Sequence, residues 1–173
     1  SEEDSFAILD AAYEGGVTFL DTSDDYGKSE EVIGKYIKNN PDKKFNICTK
    51  FNVKGVAPED VYKALKDFAL LSCKKLSIDC IPIFMSHSEK NFIDYGKHLT
   101  DALTQLKKDG IIKCSAISMS RKDLIDDIID CGAFDAIQLP LNILDNKEII
   151  NGKIKKMHDA GMAVFIRSVY LQG

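Results

Sequence analysis

The sequence contains no apolar run close to the roughly 20 residues needed to cross a bilayer, and it contains no block of basic residues. Its 23 Lys and Arg are outnumbered by 27 Asp and Glu, which gives a formal charge of -4. Because nucleic-acid binding needs a basic surface, we expect no nucleic-acid partner. The polar start Ser1-Glu2-Glu3-Asp4 does not resemble a signal peptide. These absences together predict a cytoplasmic protein that does not act at a membrane.

The sequence also lacks a cysteine pattern of the kind that disulfides or zinc would require. Its cysteines are odd in number and scattered, without a C-x-x-C pair or a Cys/His cluster at zinc-ligand spacing. Three of the five fall in predicted strands, where a thiol packs as a small apolar group. We therefore expect reduced cysteines that serve packing, and no metal site. The five are Cys48, Cys73, Cys80, Cys114 and Cys131.

Two hydrophobic periods alternate along the chain. Helical spacing predicts six helices, near residues 2–15, 29–38, 59–75, 97–109, 121–131 and 151–160. Short apolar runs predict a strand after each helix, near residues 17–21, 45–50, 80–86, 111–118, 136–141 and 163–168. With 45% hydrophobic residues the chain can bury a core, and its length predicts a single domain over residues 1–173.

This alternation predicts an α/β protein with a parallel sheet. A doubly wound nucleotide-binding sheet would need a G-x-G-x-x-G turn after a strand, and the sequence has none. We therefore predict a (β/α)8 TIM-type barrel. Because a closed barrel usually takes about 250 residues, we expect this chain to supply about six strand-helix units, without the first and last strands.

Three ionisable residues each stand at the carboxyl end of a predicted strand: Asp21, Lys50 and His87. Parallel strands bring their carboxyl ends to the same rim of a barrel, where the chemistry of such folds takes place. Burying a charge is unfavourable unless the charge is paired, so these residues are costly for stability. Function is the better explanation for them.

The segment around the first of these residues carries a specific resemblance. Residues 16–30, G-V-T-F-L-D-T-S-D-D-Y-G-K-S-E, resemble the aldo-keto reductase signature, in which an Asp ends a strand and a Tyr follows five residues later. The similarity continues with Thr49-Lys50-Phe51, with the strand that ends at His87, and with Phe134 to Gln138 followed by Asn142. It runs from about residue 3 to residue 173, and four separated positions occur in the family's order.

The resemblance implies a catalytic set of Asp21, Tyr26, Lys50 and His87. A phenol is a poor acid at neutral pH unless a cation favours its ionised form. Lys50 would be that cation for Tyr26, and Asp21 would hold Lys50 charged and in place. His87 would orient or polarise the carbonyl of a small-molecule substrate. The expected activity is reduction of an aldehyde or ketone to an alcohol, or the reverse reaction, with hydride from NADP or NAD, of which NADP is favoured.

The resemblance also implies a cofactor-binding set of Ser120, Gln138, Arg167 and Ser168. Gln138 and Ser120 would hold the nicotinamide carboxamide, although each could instead be a hydrogen-bonded structural side chain. The chain has Ser120-Arg121 where the family usually has Ser-Asn. It has Arg167 before Ser168 where the family often has an aromatic residue, so the planar guanidinium would stack on the nicotinamide in its place.

Other interpretations remain open from the sequence. Taken singly, Asp21 could cap a loop, Tyr26 could be an exposed loop residue and Lys50 could reach water. The same barrel could be a nicotinamide-binding sensor or an auxiliary subunit without catalysis, or a lyase that uses Lys50 to form a Schiff base. For the substrate, the loop at residues 51–57 and the segment 88–96, with Phe92 and Tyr95, are the predicted pocket walls.

Overall fold

The computed structural model of the chain describes residues 1–171; Gln172 and Gly173, which end the segment that starts at Arg167, lie outside the described residues. Helices and strands alternate along it. The helices are α1 (Glu2–Glu14), α2 (Ser29–Asn39), α3 (Val61–Leu76), α4 (Glu89–Lys108), α5 (Ile125–Asp130), α6 (Lys147–Ile150) and α7 (Lys153–Asp159). The strands are β1 (Phe19–Asp21), β2 (Asn46–Phe51), β3 (Ile81–Ser86), β4 (Ile112–Ser118), β5 (Ala136–Pro140) and β6 (Ala163–Arg167).

The strands form one six-stranded sheet in the order β1-β2-β3-β4-β5-β6, and every neighbouring pair is parallel. The sheet is strongly curled, as a contact between side chains of its two outermost strands shows. Phe19 of β1 stacks on Phe165 of β6 with the ring centroids 5.0 Å apart. The predicted fold class is therefore confirmed: the chain forms a partial (β/α) barrel, with about six strand-helix units.

The two faces of the sheet carry two different cores, as alternation along a strand requires. Inside the barrel, Cys48, Met85, Ala116 and Ala136 form a small cluster. On the outer face, large aliphatic and aromatic side chains pack the sheet against α3 and α4. Phe84 is one of several fully buried residues among them. Residues that share the inward register with the inner cluster and lie nearer the carboxyl ends of the strands therefore point into the barrel rim.

Two predicted helices differ from the structure in their extent, and the short helix α6 was not predicted. The helix expected near 97–109 begins at Glu89, because Ser88 caps it by accepting a hydrogen bond from the Lys90 N–H at 3.1 Å. Gly96 interrupts that helix with φ 45°, so the predicted helix matched only the second half of α4. The helix expected near 121–131 starts with a 3-10 turn over residues 122–124, and α5 itself is short.

All five cysteines are free, in keeping with the prediction. Cys48 lies inside the barrel, where burial, with the Asp21 carboxylate nearby, raises the pKa of its thiol to about 12. It is therefore a neutral packing group. Cys131 is exposed at the end of α5, so packing in the core does not account for it.

Candidate active site

The barrel rim brings together the four residues expected to be catalytic. Asp21 is the last residue of β1, Lys50 lies near the end of β2, and His87 follows β3 directly. The parallel register aligns these strand ends, with Asp21 beside Cys48 and Lys50 beside Met85. Because Asp21 and Lys50 have the inward register, their side chains meet inside the barrel.

Lys50 is the centre of the site and is almost completely buried, with 2% of its side chain exposed. Its ammonium donates to Asp21 Oδ1 at 2.5 Å and to the Thr22 carbonyl oxygen at 2.9 Å. It also lies 5.1 Å from the centroid of the Tyr26 ring. The second oxygen of Asp21 accepts a hydrogen bond from Gln138 Nε2 at 3.1 Å. The buried cation is thus paired, and it faces the phenol ring.

Tyr26 lies in the loop between β1 and α2 and is half exposed. Hydrogen bonds fix this loop at both ends. The hydroxyls of Thr22 and Ser29 are 2.7 Å apart, and Asp24 forms an ion pair with Lys75 of α3. The hydrogen bond with Asp24 raises the pKa of Lys75 above its ordinary value, so the tether stays charged at neutral pH. The tyrosine is therefore carried by an anchored loop.

His87 completes the group, with its ring edge-to-face against Tyr26 and the ring centroids 5.8 Å apart. Its Nδ1 lies 3.1 Å from Asp25 Oδ2 and 3.3 Å from Ser23 Oγ. Asn52 Nδ2 donates to the same Asp25 oxygen at 2.7 Å. Sequence reasoning missed Asp25 and Asn52. The available signal was their position, since Asp25 directly precedes Tyr26 and Asn52 comes two residues after Lys50.

The residues expected to bind cofactor fall into two groups along the rim. Gln138 belongs to the catalytic group through Asp21, and its Oε1 accepts a hydrogen bond from Ser118 Oγ at 3.0 Å. Further along the sheet, Arg167 Nη2 donates to Ser120 Oγ at 2.9 Å. Ser168 is exposed, has φ 60° and joins neither group within residues 1–171.

Polar groups remain available at the rim for a nicotinamide cofactor. Gln138 keeps one amide hydrogen and one lone pair beyond the two bonds it makes. Arg167 Nε is buried without a hydrogen-bond partner among the described residues. A buried donor of this kind is costly unless a ligand satisfies it. The residues present therefore fit a cofactor with a carboxamide and acceptor oxygens.

A cavity of about 430 Å³ lies at the rim beyond Asn52. The residues after β2 and the first turns of α4 line it, with Lys54, Asn91 and Tyr95 among them. Tyr95 thus forms a wall of this cavity. Phe92 instead packs on the outer core, with its ring centroid 6.1 Å from that of Phe134.

Comparison with known proteins agrees with this geometry. The sequence model of the Aldo/keto reductase family matches residues 1–173. The chain belongs to the aldo/keto reductase family. This confirms the resemblance seen in the signature at residues 16–30. Among the residues described, no helix has both the length and the apolar character that a membrane span needs.

Individual relatives of the aldo/keto reductase family match most of this chain. The NADH-specific methylglyoxal reductase of Escherichia coli is 27% identical over 180 residues, which cover 94% of this chain and 55% of that protein. The aldo-keto reductase AKR11C1 of Bacillus halodurans in its holo form superposes with a TM-score of 0.79 at 24% identity, over 100% of this chain and 59% of that one.

An aldo/keto reductase of Klebsiella pneumoniae, solved with NADP and acetate, gives a TM-score of 0.74 at 20% identity and covers 96% of this chain and 58% of that one. At these identities the superpositions show a shared fold. The chain spans about half the length of the curated relatives it matches.

Proposed function

We propose that this protein is an NAD(P)H-dependent reductase of aldehydes or ketones, which also catalyses the reverse oxidation of alcohols. One observation carries the proposal: the ammonium of Lys50 is buried in the barrel, paired with Asp21, and 5.1 Å from the centroid of the half-exposed Tyr26 ring. Burying the charged Lys50 is costly for the fold, and acid catalysis by the neighbouring Tyr26 explains why a cation lies there.

In this proposal Tyr26 donates its hydroxyl proton to the carbonyl oxygen of the substrate. The Lys50 ammonium stabilises the negative charge that develops on the tyrosine oxygen as the proton leaves. Asp21 keeps the ammonium oriented through the 2.5 Å contact. His87 holds the carbonyl oxygen against Tyr26, since its ring lies edge-on to the tyrosine.

The nicotinamide cofactor would be held by Gln138, which lies beside Asp21, and by Ser120, Arg167 and Ser168 further along the sheet. When bound, the reduced nicotinamide supplies the hydride, which no side chain can do. The unpartnered Nε of Arg167 supports this placement. We propose NADP as the preferred cofactor, supported by the Klebsiella pneumoniae neighbour solved with NADP. The Escherichia coli relative named NADH-specific makes NAD the alternative that an experiment must test.

The proposed substrate is a small carbonyl compound or alcohol, bound between His87 and the cavity beyond Asn52. A cavity of about 430 Å³ is in the size range of small-molecule sites. The formal charge of -4 supports a small molecule rather than a nucleic acid as the partner. We also propose a cytoplasmic location, in keeping with the five free cysteines.

The test compares Tyr26→Phe with the wild type in the full-length protein. The substitution keeps the ring and removes the hydroxyl, so kcat for reduction of a simple aldehyde should fall by about 10² to 10⁴. Fluorescence titration with NADPH and with NADH should give unchanged cofactor affinity and show which of the two is preferred. Tyr13→Phe is the matched control, because Tyr13 packs against Phe45, away from the site.

Near wild-type turnover in Tyr26→Phe would refute the acid role of Tyr26. Cofactor binding without turnover of any carbonyl in the wild type would instead favour the non-catalytic sensor.

A further inference from the structure

The hydrogen bonds of His87 are concentrated on one of its two ring nitrogens. All three contacts of the ring within residues 1–171 involve Nδ1: Asp25 Oδ2 at 3.1 Å, Ser23 Oγ at 3.3 Å and Asn52 Nδ2 at 3.5 Å. Nε2 is left for a substrate. Of the three partners only Asp25 carries a charge, and it belongs to neither the catalytic nor the cofactor set described above.

The identity of these partners decides where the proton of neutral His87 resides. An ionised carboxylate only accepts hydrogen bonds, so the short contact with Asp25 requires a hydrogen on Nδ1. The Ser23 hydroxyl accepts the Asp25 backbone N–H at 3.2 Å and can still donate or accept toward Nδ1, so it is compatible with either tautomer. The Asn52 amide donates to Asp25 at 2.7 Å, which makes its longer 3.5 Å approach to Nδ1 secondary. The neutral ring therefore carries hydrogen on Nδ1 and a lone pair on Nε2.

We propose that Asp25 is a positioning residue that selects the Nδ1–H tautomer of His87 and thereby sets the pH range in which the protein reduces carbonyls. This inference rests on the proposed function of the site. A carbonyl oxygen needs a donor, and in this tautomer Nε2 donates only when the imidazole is protonated. Reduction then requires imidazolium, whereas the neutral ring presents an acceptor to the hydroxyl of an alcohol and suits oxidation.

The other charged and titratable groups around the ring stay the same when Asp25 is replaced. Tyr26 faces the ring from the same loop as Asp25, and behind it Lys50 of β2 is paired with Asp21 of β1. Asp24, the neighbouring acid, faces Lys75 on α3. Because the Asp25 side chain is 59% exposed, its truncation leaves no cavity in the core. Asp25→Ala is therefore a clean test. Asp101→Ala is its control, because Asp101 is an exposed acid on α4 that pairs with Lys97.

Nuclear magnetic resonance measures the tautomer directly and without any activity. The full-length protein is labelled with nitrogen-15, and long-range proton–nitrogen correlations of the rings are recorded at about pH 8.5, above the usual range of histidine titration. The sequence has three histidines, and the signals lost in His87→Gln identify His87.

We expect Nδ1–H in the wild type and in Asp101→Ala, and Nε2–H in Asp25→Ala, where Asn52 becomes a donor to Nδ1. An Nε2–H tautomer in the wild type, or an unchanged tautomer in Asp25→Ala, overturns the proposal.

The pH profile of kcat/KM for reduction of an aldehyde tests the consequence for catalysis. In the wild type, reduction should fall about tenfold for each pH unit once the imidazolium population declines. In Asp25→Ala the neutral ring donates from Nε2, so this decline should move to higher pH.

Loss of charge alone predicts the opposite direction, because removing a carboxylate disfavours imidazolium. If the decline in Asp25→Ala moves to lower pH or does not move, Asp25 does not set the pH range of carbonyl reduction and that part of the proposal is refuted. If the wild type reduces no carbonyl at any pH, the proposed function fails, while the tautomer measurement still decides the role of Asp25.

Discussion

Asp21 and Lys50 form one ion pair, but the two partners are buried to very different extents: 2% of the Lys50 side chain is exposed and 41% of that of Asp21. Asp21→Ala leaves an ammonium inside the barrel with the Thr22 carbonyl, 2.9 Å away, as its remaining acceptor. We expect this change to cost about 3 kcal/mol, the low end of the roughly 3–5 kcal/mol for breaking a buried pair.

Lys50→Met should cost much less stability, although it removes the same ion pair. The Asp21 carboxylate left behind is accessible to water and keeps its hydrogen bond from Gln138. The methionine also fills the apolar space of the lysine stem. We therefore expect a loss below about 1.5 kcal/mol. Both variants should lose carbonyl reduction. Lys50→Met should therefore lose activity while keeping most of its stability.

Urea unfolding followed by circular dichroism, with linear extrapolation to water, measures the difference between the two variants. Asp101→Ala is the matched control, because the Lys97–Asp101 pair is exposed on both sides and should contribute nothing measurable. If Lys50→Met destabilises the protein as much as Asp21→Ala, the argument from unequal burial is wrong.

Two further predictions concern the scaffold. A Cβ on Gly34 of α2 would lie 2.0 Å from the Lys75 backbone oxygen. Gly34→Ala should therefore lower stability by about 1–3 kcal/mol in thermal unfolding, despite a helix-propensity gain of about 1 kcal/mol. Equal stability would show that α2 and α3 can separate freely. Burial works to raise the pKa of Asp135, but the Ser115 backbone N–H and the Lys107 ammonium outweigh it and hold that pKa below its ordinary value of 3.8. The stability that this pKa shift contributes is present above about pH 4 and is lost as the pH falls through the folded-state pKa. Asp135→Asn should therefore lose less stability than the wild type when unfolding is measured at decreasing pH. An unchanged pH dependence of stability would refute this.

The sequence predicted the strand ends well, because strand periodicity and position along the chain are local properties. An apolar run that ends in Asp21, Lys50 or the residue before His87 places each polar group at the carboxyl end of a strand, and parallel strands share that rim. The catalytic roles of these residues, and those of Ser120, Gln138, Arg167 and Ser168, stay predictions, as does the single domain over residues 1–173.

The start of α4 shows where local signals failed. The predicted helix started only after Gly96, which interrupts α4 in the structure with φ 45°, a conformation that glycine adopts readily. The helix nevertheless begins at Glu89, because Asn91 is buried there and its side chain bonds to Ser86 Oγ and to the Val53 N–H. Those tertiary contacts stabilise a turn that propensity alone does not predict.

By itself, then, the sequence determined the alternation of helices and strands, the barrel class and the order of polar residues along the rim, since hydrophobic period and motif spacing encode them. Only the tertiary structure decided which polar atoms meet. Asp25 and His87 are 62 residues apart, and Gln138 and Asp21 are 117 apart. Such pairs depend on the curl of the sheet and on the path of the anchored loop, which bring distant side chains within hydrogen-bonding distance and leave no periodic trace in the chain.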